Sequence, residues 1–128
     1  MNRYSYALIG SISAIVSARA YVSMGGNLNY SVLGYQLHHF YYGVALLVIA
    51  GILKRLKSPE WLIFFILGMA LGFIADEFDL LLSIGRSYTL QLYNEPLNLA
   101  MDIILIFTLW KLSSEEPAYY YIRSEVRA

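Results

Sequence analysis

Four long stretches of the chain contain no charged residue, and they determine the architecture that the sequence predicts. They cover residues 4–18, 20–53, 61–75 and 103–110. A transmembrane helix needs about 20 mostly apolar residues, each adding about 1.5 Å along the axis. The pattern therefore predicts four helices, near residues 4–23, 35–54, 60–82 and 96–112, followed by a polar tail over 113–128.

Composition supports an integral membrane protein. Hydrophobic residues make up 59% of the chain and charged residues 14%, whereas a soluble domain averages about 45–50% and about 25%. A soluble buried bundle is the alternative, but no span shows the wide polar face that it needs. The nine Lys and Arg residues are balanced by nine Asp and Glu residues, which argues against a nucleic-acid partner. The absence of cysteine excludes disulfides and thiolate metal sites.

Basic residues collect at one end of the predicted spans. That end carries seven basic and four acidic residues, a sum of +3, and the other carries two and five, a sum of −3. The positive-inside rule places the more basic end in the cytoplasm. We therefore expect an all-α, antiparallel bundle of four transmembrane helices with both termini cytoplasmic. The chain is then a single multi-pass domain of the cell membrane, with the lipid bilayer as its partner.

The first helix has a competing interpretation as a signal peptide. Arg3 resembles a basic leader start, residues 6–16 form an apolar run, and Ala18-Arg19-Ala20 fits a cleavage pattern of small residues. We expect the segment to be retained as a membrane span.

Polar residues gather where the second predicted span begins and the third ends. His38 and His39 open the second span, and Asp76, Glu77 and Asp79 close the third. Consecutive spans run antiparallel, and His39 and Asp76 each lie about 21–22 Å from the opposite end of their own helix. These residues should therefore lie at one depth. Charged groups inside a span are costly and are usually functional.

Helical phase predicts which side chains converge. On the third helix Gly68, Gly72, Asp76 and Asp79 share one face, while Glu77 points about 100° away and reaches the site only if the helix unwinds there. His39 and Gly43 share a face of the second helix, and Asn98 and Asp102 share a face of the fourth. The small residues Gly68 and Gly72 either pack within the chain or form a homo-oligomer seam.

Three functions remain open for this cluster. Histidine and carboxylate ligands suit a divalent metal such as Zn, Fe or Mn. The candidate ligands are His39, Asp76, Asp79 and Asp102, together with His38 and Glu77. One alternative is the binding or transport of protons or cations, as in a channel, transporter or accessory subunit. The other is a purely structural cluster of hydrogen-bonded polar side chains that holds the helices together. The di-iron Glu-x-x-His and the His-Glu-x-x-His motifs are absent. Enzymatic activity, for example on a lipid or amphiphile, is therefore an open question.

Arg19 lies at the same depth as the cluster. Its helical stripe contains Leu8, Ile12 and Ile15, opposite Gly10 and Ala14. We expect Arg19 to extend toward phosphate headgroups, with pairing to Asp76 or Asp79 as the alternative.

The motifs His38-His39-Phe40 and Asp76-Glu77-Phe78 carry a family resemblance. Over residues 37–80 the chain resembles a family of small integral membrane proteins from archaea and actinobacteria, in which a His-His-Phe motif opens one span and an Asp-Glu-Phe motif closes the next. Tyr41-Tyr42 departs from the Val-Pro expected after the first motif. The resemblance implies a membrane fold but no particular chemistry.

Overall fold

The computed structural model describes residues 1–25, 30–32, 35–81 and 96–127, with side chains described over 1–25, 38–79 and 96–115. Its elements follow in chain order: helix α1 (Arg3–Ser23), strands β1 (Tyr30–Val32) and β2 (Tyr35–Leu37), helix α2 (His39–Arg55), helix α3 (Glu60–Asp76), a 3-10 helix (Phe78–Leu81) and helix α4 (Pro96–Arg127). The prediction of four long helices is confirmed, while the short strand pair between the first two was not predicted.

Three helix boundaries differ from the prediction. Helix α2 begins at His39 rather than at residue 35, because residues 35–37 pair antiparallel with β1. Helix α3 ends at Asp76, where the chain turns into the 3-10 helix. Helix α4 continues past residue 112 to Arg127. A Lys111–Glu115 ion pair, four residues apart at 3.8 Å, supports this continuation.

Helix α3 occupies the centre of the molecule and packs against the other three long helices. Its start lies beside the start of α1, where the Tyr4 and Phe64 rings are 6.0 Å apart, so these two helices run parallel. Helix α2 runs antiparallel to α3, because Phe40 in its first turn contacts Glu77 at the end of α3. Helix α4 runs antiparallel to α1. The direction of the helices thus alternates along the chain.

Glycine lets α1 and α3 approach closely. A Cβ atom at Gly68 would overlap the carbonyl oxygen of Ala7, and one at Gly72 would lie 2.7 Å from the carbonyl oxygen of Ser11. The Ser11 hydroxyl donates a 2.9 Å hydrogen bond to the carbonyl oxygen of Gly68. The stripe formed by Gly68 and Gly72 therefore packs within the chain. A homo-oligomer interface would have to use another surface.

Among the described residues, several polar and charged side chains are buried while many large apolar side chains are exposed. Among the described residues, the largest fully buried side chains are Glu77, Asn98, Asp76 and Ser11. The apolar part of the core is mainly alanine. In contrast, Val48, Ile103 and Phe107 are each about 60% exposed. Water disfavours such a distribution, whereas a bilayer favours it.

Two helices are long and apolar enough to cross a membrane on their own, namely Arg3–Ser23 and the Pro96–Glu115 part of α4. Helices α2 and α3 have 17 residues each, which corresponds to about 25 Å.

Candidate functional site

Four carboxyl groups are buried together at the end of α3. The acidic cluster consists of Asp76 from α3, Glu77 at its C-cap, Asp79 from the 3-10 helix and Asp102 from α4. None of the four residues is more than 4% exposed. Burial of this many acids demands compensation from neighbouring cations, protons or backbone donors. The contacts of each acid therefore decide what the site can do.

Arg19 lies between Asp76 and Asp102 and contacts both. Its Nε is 2.8 Å from Oδ1 of Asp76, and a terminal guanidinium nitrogen donates a 3.1 Å hydrogen bond to Oδ2 of Asp102. The expectation that Arg19 faces away toward headgroups is wrong, and the alternative of pairing with Asp76 describes its position. The prediction failed because helical phase locates only the Cα–Cβ direction, while the arginine stem is long enough to reach around the helix.

Asp76 and Asp102 share this one guanidinium group. A single cation can compensate only one of two ionised carboxylates. Like charges gathered on one cation in a buried site disfavour simultaneous ionisation. With Arg19 as the counter-ion, the pair holding one proton is electrically neutral.

Glu77 enters the site because α3 unwinds at this residue. Its backbone leaves the helical region, with φ −124° and ψ 37°, which turns the side chain toward α2. One carboxylate oxygen accepts a 2.9 Å hydrogen bond from the backbone N–H of Phe40, in the first turn of α2. The residue at the N-cap of α2, His38, makes no side-chain capping bond. Glu77 therefore caps α2 and interacts favourably with its dipole.

The His39 ring lies between Glu77 and three aromatic rings. Its Nδ1 is 3.8 Å from Oε1 of Glu77. The ring centroids of Tyr21, Tyr42 and Phe73 lie 6.0, 6.1 and 6.2 Å away. His39 itself is only 9% exposed.

The structure divides the predicted site into two adjoining parts. Asp76 and Asp102 share Arg19, while His39 lies beside Glu77. His38 lies against Tyr41, at 5.9 Å between ring centroids.

Asp79 forms a reciprocal hydrogen-bonded pair with Asn98. The Asn98 side-chain amide nitrogen donates to Oδ1 of Asp79 at 3.0 Å, and the Asp79 backbone N–H donates to the side-chain Oδ1 of Asn98 at 3.0 Å. Asn98 is completely buried. This pair fixes the 3-10 helix to the start of α4 and thereby holds the end of α3 in place.

Metal binding gains no support from this arrangement. Within the ranges 1–25, 35–81 and 96–127, no three histidine or acidic residues form a group that could hold a metal ion. The guanidinium of Arg19 takes the face that Asp76 and Asp102 share. The metal hypothesis for His38, His39, Asp76, Glu77, Asp79 and Asp102 stays a prediction.

Sequence reasoning placed most of these residues at one depth but missed the role of Arg19 and the aromatic neighbours of His39. The equal depth of Arg19 and the acids was the available indication. Tyr21 and Phe73 gave no comparable indication, because aromatic residues are common near membrane interfaces.

Comparisons of the chain with protein-family models, with curated proteins and with solved structures found no match.

Proposed function

We propose that this chain is a four-span integral membrane protein that binds and releases protons at its buried acidic cluster. The inverted distribution of polar and apolar side chains supports the membrane assignment. A polar interior surrounded by exposed valine, isoleucine and phenylalanine is stable in a bilayer and unfavourable in water. The alternating helix directions, together with the +3 and −3 charge at the two ends, support cytoplasmic termini.

Helices α2 and α3 complete the four spans in this proposal. At about 25 Å each they are slightly shorter than a hydrocarbon core of about 30 Å, a mismatch that local thinning accommodates at modest cost. The aromatic residues Trp61 and Trp110 fall near the basic end, as expected of interfacial anchors.

The sharing of one guanidinium group by Asp76 and Asp102 carries the functional proposal. Of the four buried carboxyl groups, Asp76 and Asp102 contact Arg19, so full ionisation of the cluster would leave a large uncompensated negative charge in a medium of low dielectric constant. Protons offset that charge with the least rearrangement. A proton shared by two close carboxyl groups is also the arrangement that pairs of acids in enzymes use to hold one proton.

Proton binding explains the observations better than a purely structural hydrogen-bonded cluster does. Hydrogen bonds between membrane helices contribute about 0.6 kcal/mol on average, which is small beside the cost of about 2.5–3.5 kcal/mol for a charged residue at the centre of a span. The Asp79–Asn98 pair has the complementary bonding of a purely structural contact. Asp76 and Asp102 instead share one guanidinium group, which leaves one negative charge uncompensated unless a proton binds. We infer that the protein acts as a proton channel, transporter or accessory subunit.

Infrared spectroscopy of the purified protein in lipid nanodiscs tests the proton site. We expect a band from a protonated carboxyl group at neutral pH, sensitive to deuterium exchange, that Asp102→Asn removes. Asp79→Asn serves as the matched control and should leave the band in place. A wild-type protein without such a band would refute proton binding.

Calorimetric titration of the metal-free protein with Zn²⁺, Mn²⁺ and Fe²⁺, beside the Asp76→Asn and His39→Ala variants, tests the metal hypothesis.

Cysteine labelling tests the topology. Because the chain has no native cysteine, single Ser23→Cys, Ser58→Cys and Ser114→Cys variants can be labelled directly in sealed vesicles. We expect positions 58 and 114 to react from the cytoplasmic side and position 23 from the other. Labelling of positions 23 and 58 from the same side would contradict the proposed topology, in which α1 crosses the membrane away from the cytoplasm and α2 crosses back to it.

A further inference from the structure

Helix α4 continues well past the start of α1. Asn2, the N-cap of α1, forms a side-chain hydrogen bond with Ser113 of α4, so these two residues lie at one level of the molecule. Because α4 runs antiparallel to α1, its remaining residues extend beyond that level to Arg127. At about 1.5 Å per residue, the part of α4 after Ser113 adds about 21 Å. We call residues 117–127 the arm of α4.

A proline lies at the base of this arm. Pro117 is in the interior of α4, with helical residues on both sides. Proline has no backbone N–H, so α4 lacks the hydrogen bond that residue 117 would otherwise donate to the carbonyl oxygen of Ser113. A proline inside a helix also clashes with the carbonyl group four residues before it and is a frequent cause of sharp kinks. The sequence of α4 therefore favours a joint at this position.

The carbonyl oxygen that loses its usual donor is the one that Asn2 contacts. The side-chain Nδ2 of Asn2 donates a hydrogen bond to the backbone oxygen of Ser113. The Oδ1 atom of Asn2 accepts 2.9 Å hydrogen bonds from the backbone N–H and from the hydroxyl of Ser5, which caps α1. Asn2 thus uses one half of its amide on each helix. A donor from the start of α1 replaces the one that Pro117 lacks.

We propose that Asn2 is a latch that holds the arm in line with the rest of α4, and that the arm pivots at Pro117 when this hydrogen bond breaks. With the latch closed, the Ser113 carbonyl has a donor although Pro117 provides none. With the latch open, the carbonyl turns toward water, as carbonyl groups do on the solvent side of a bent helix. The arm then takes a second direction.

This conformational device is independent of proton binding at the acidic cluster. Arg19 and Asp102 mark the level of that cluster on α1 and α4, and they lie 17 and 11 residues away from Asn2 and Ser113 along the two helices. The latch is therefore at the opposite end of these helices. A change in the direction of the arm needs no change in the contacts of the buried acids.

One hydrogen bond is enough to shift the arm between two directions measurably. Loss of an ordinary hydrogen bond changes the ratio of two states about fivefold. A kink of about 20° at Pro117 displaces residue 124 by about 4 Å, since that residue lies about 10 Å farther along the helix. The two directions are therefore separable by a distance measurement between spin labels.

Pulsed electron paramagnetic resonance in lipid nanodiscs tests the proposal. One nitroxide label is attached at Ser58→Cys, in the loop between α2 and α3, and the other at Ser124→Cys in the arm. We expect one narrow distance distribution for the otherwise unchanged chain. Asn2→Asp keeps a good N-cap for α1 but removes the donor to Ser113, so it should increase the displaced population about fivefold. Asn2→Ser is a second, uncharged variant of the same kind.

Two controls isolate the joint. Labels at Ser58→Cys and Ser114→Cys lie on the near side of Pro117, and their distance distribution should stay unchanged in every variant. Pro117→Ala restores the N–H that donates to the Ser113 carbonyl within α4. We therefore expect Asn2→Asp to have no effect on the arm in the Pro117→Ala background.

Each outcome supports or overturns the latch. An unchanged distance between positions 58 and 124 in both Asn2 variants would overturn it. A change that also appears between positions 58 and 114 would show that Asn2 holds the whole of α4 against α1, which would equally overturn an arm that pivots at Pro117. Persistence of the Asn2→Asp effect in the Pro117→Ala background would refute the role of the Ser113 carbonyl. None of these results bears on the infrared band of the acidic cluster.

Discussion

Replacement of Arg19 by methionine is the most informative test of the electrostatics of the site. The change keeps an apolar stem of similar length and removes the guanidinium that contacts Asp76 at 2.8 Å and Asp102 at 3.1 Å. Both carboxylates are almost fully buried. Removal of one partner of a buried ion pair costs about 3–5 kcal/mol. The Arg19 side chain is 28% exposed, so we expect a loss near the lower limit, about 3 kcal/mol.

The loss should depend on pH and on the second carboxylate. As the pH falls, the acids left without a cation become neutral, so the difference between Arg19→Met and the wild type should shrink. Addition of Asp102→Asn to Arg19→Met should recover part of the stability at neutral pH, because it removes one of the two buried acids that have lost their shared cation. The measurement is the free energy of unfolding in mixed detergent micelles, followed by circular dichroism.

Arg3 provides the matched control for this experiment. It forms a 3.7 Å ion pair with Glu60 in which the two side chains are 39% and 67% exposed. Such exposed pairs contribute about 0–1 kcal/mol. We therefore expect Arg3→Met to cost about 1 kcal/mol or less. If Arg19→Met cost no more than this control at any pH, the buried pairing would be refuted and contact with lipid headgroups would be the better explanation.

Two further predictions concern packing and the Asp79–Asn98 pair. Gly68→Ala should destabilise the protein by about 1–3 kcal/mol or more, because the new methyl group overlaps the Ala7 backbone. The control Gly51→Ala, with open space around it, should be neutral or slightly stabilising. Equal unfolding midpoints of the two variants in detergent would contradict the close approach of α1 and α3. Asn98→Asp should destabilise the protein by about 1–3 kcal/mol, because it places a second carboxylate where an amide donated a hydrogen bond. Adding Asp79→Asn in a double-mutant cycle should restore most of the lost stability. Absence of this recovery would show that the two side chains are not coupled.

The hydropathy pattern alone predicted the number of long helices and the common depth of the polar residues. Helix rise per residue is constant, so counting from the ends of the apolar stretches placed His39 and Asp76 at the same level without any knowledge of packing. The periodicity of α3 also placed Gly68, Gly72 and Asp76 on one face, and this face packs against α1. Regular geometry within one helix is therefore accessible from the sequence.

The partners of each charged group required the tertiary structure. Helical phase directed Arg19 away from the acids, but the long side chain reaches Asp76 and Asp102 because α1, α3 and α4 meet at that point. Glu77 reaches α2 because the backbone leaves the helix at that residue, and a regular helical projection does not predict such a departure. The sequence determined which chemical groups share one level of the molecule. The packing of helices distant in sequence decided which of these groups contact one another. A contact depends on differences of a few ångströms, and the length of a side chain or the unwinding of one helical turn shifts a group by that much.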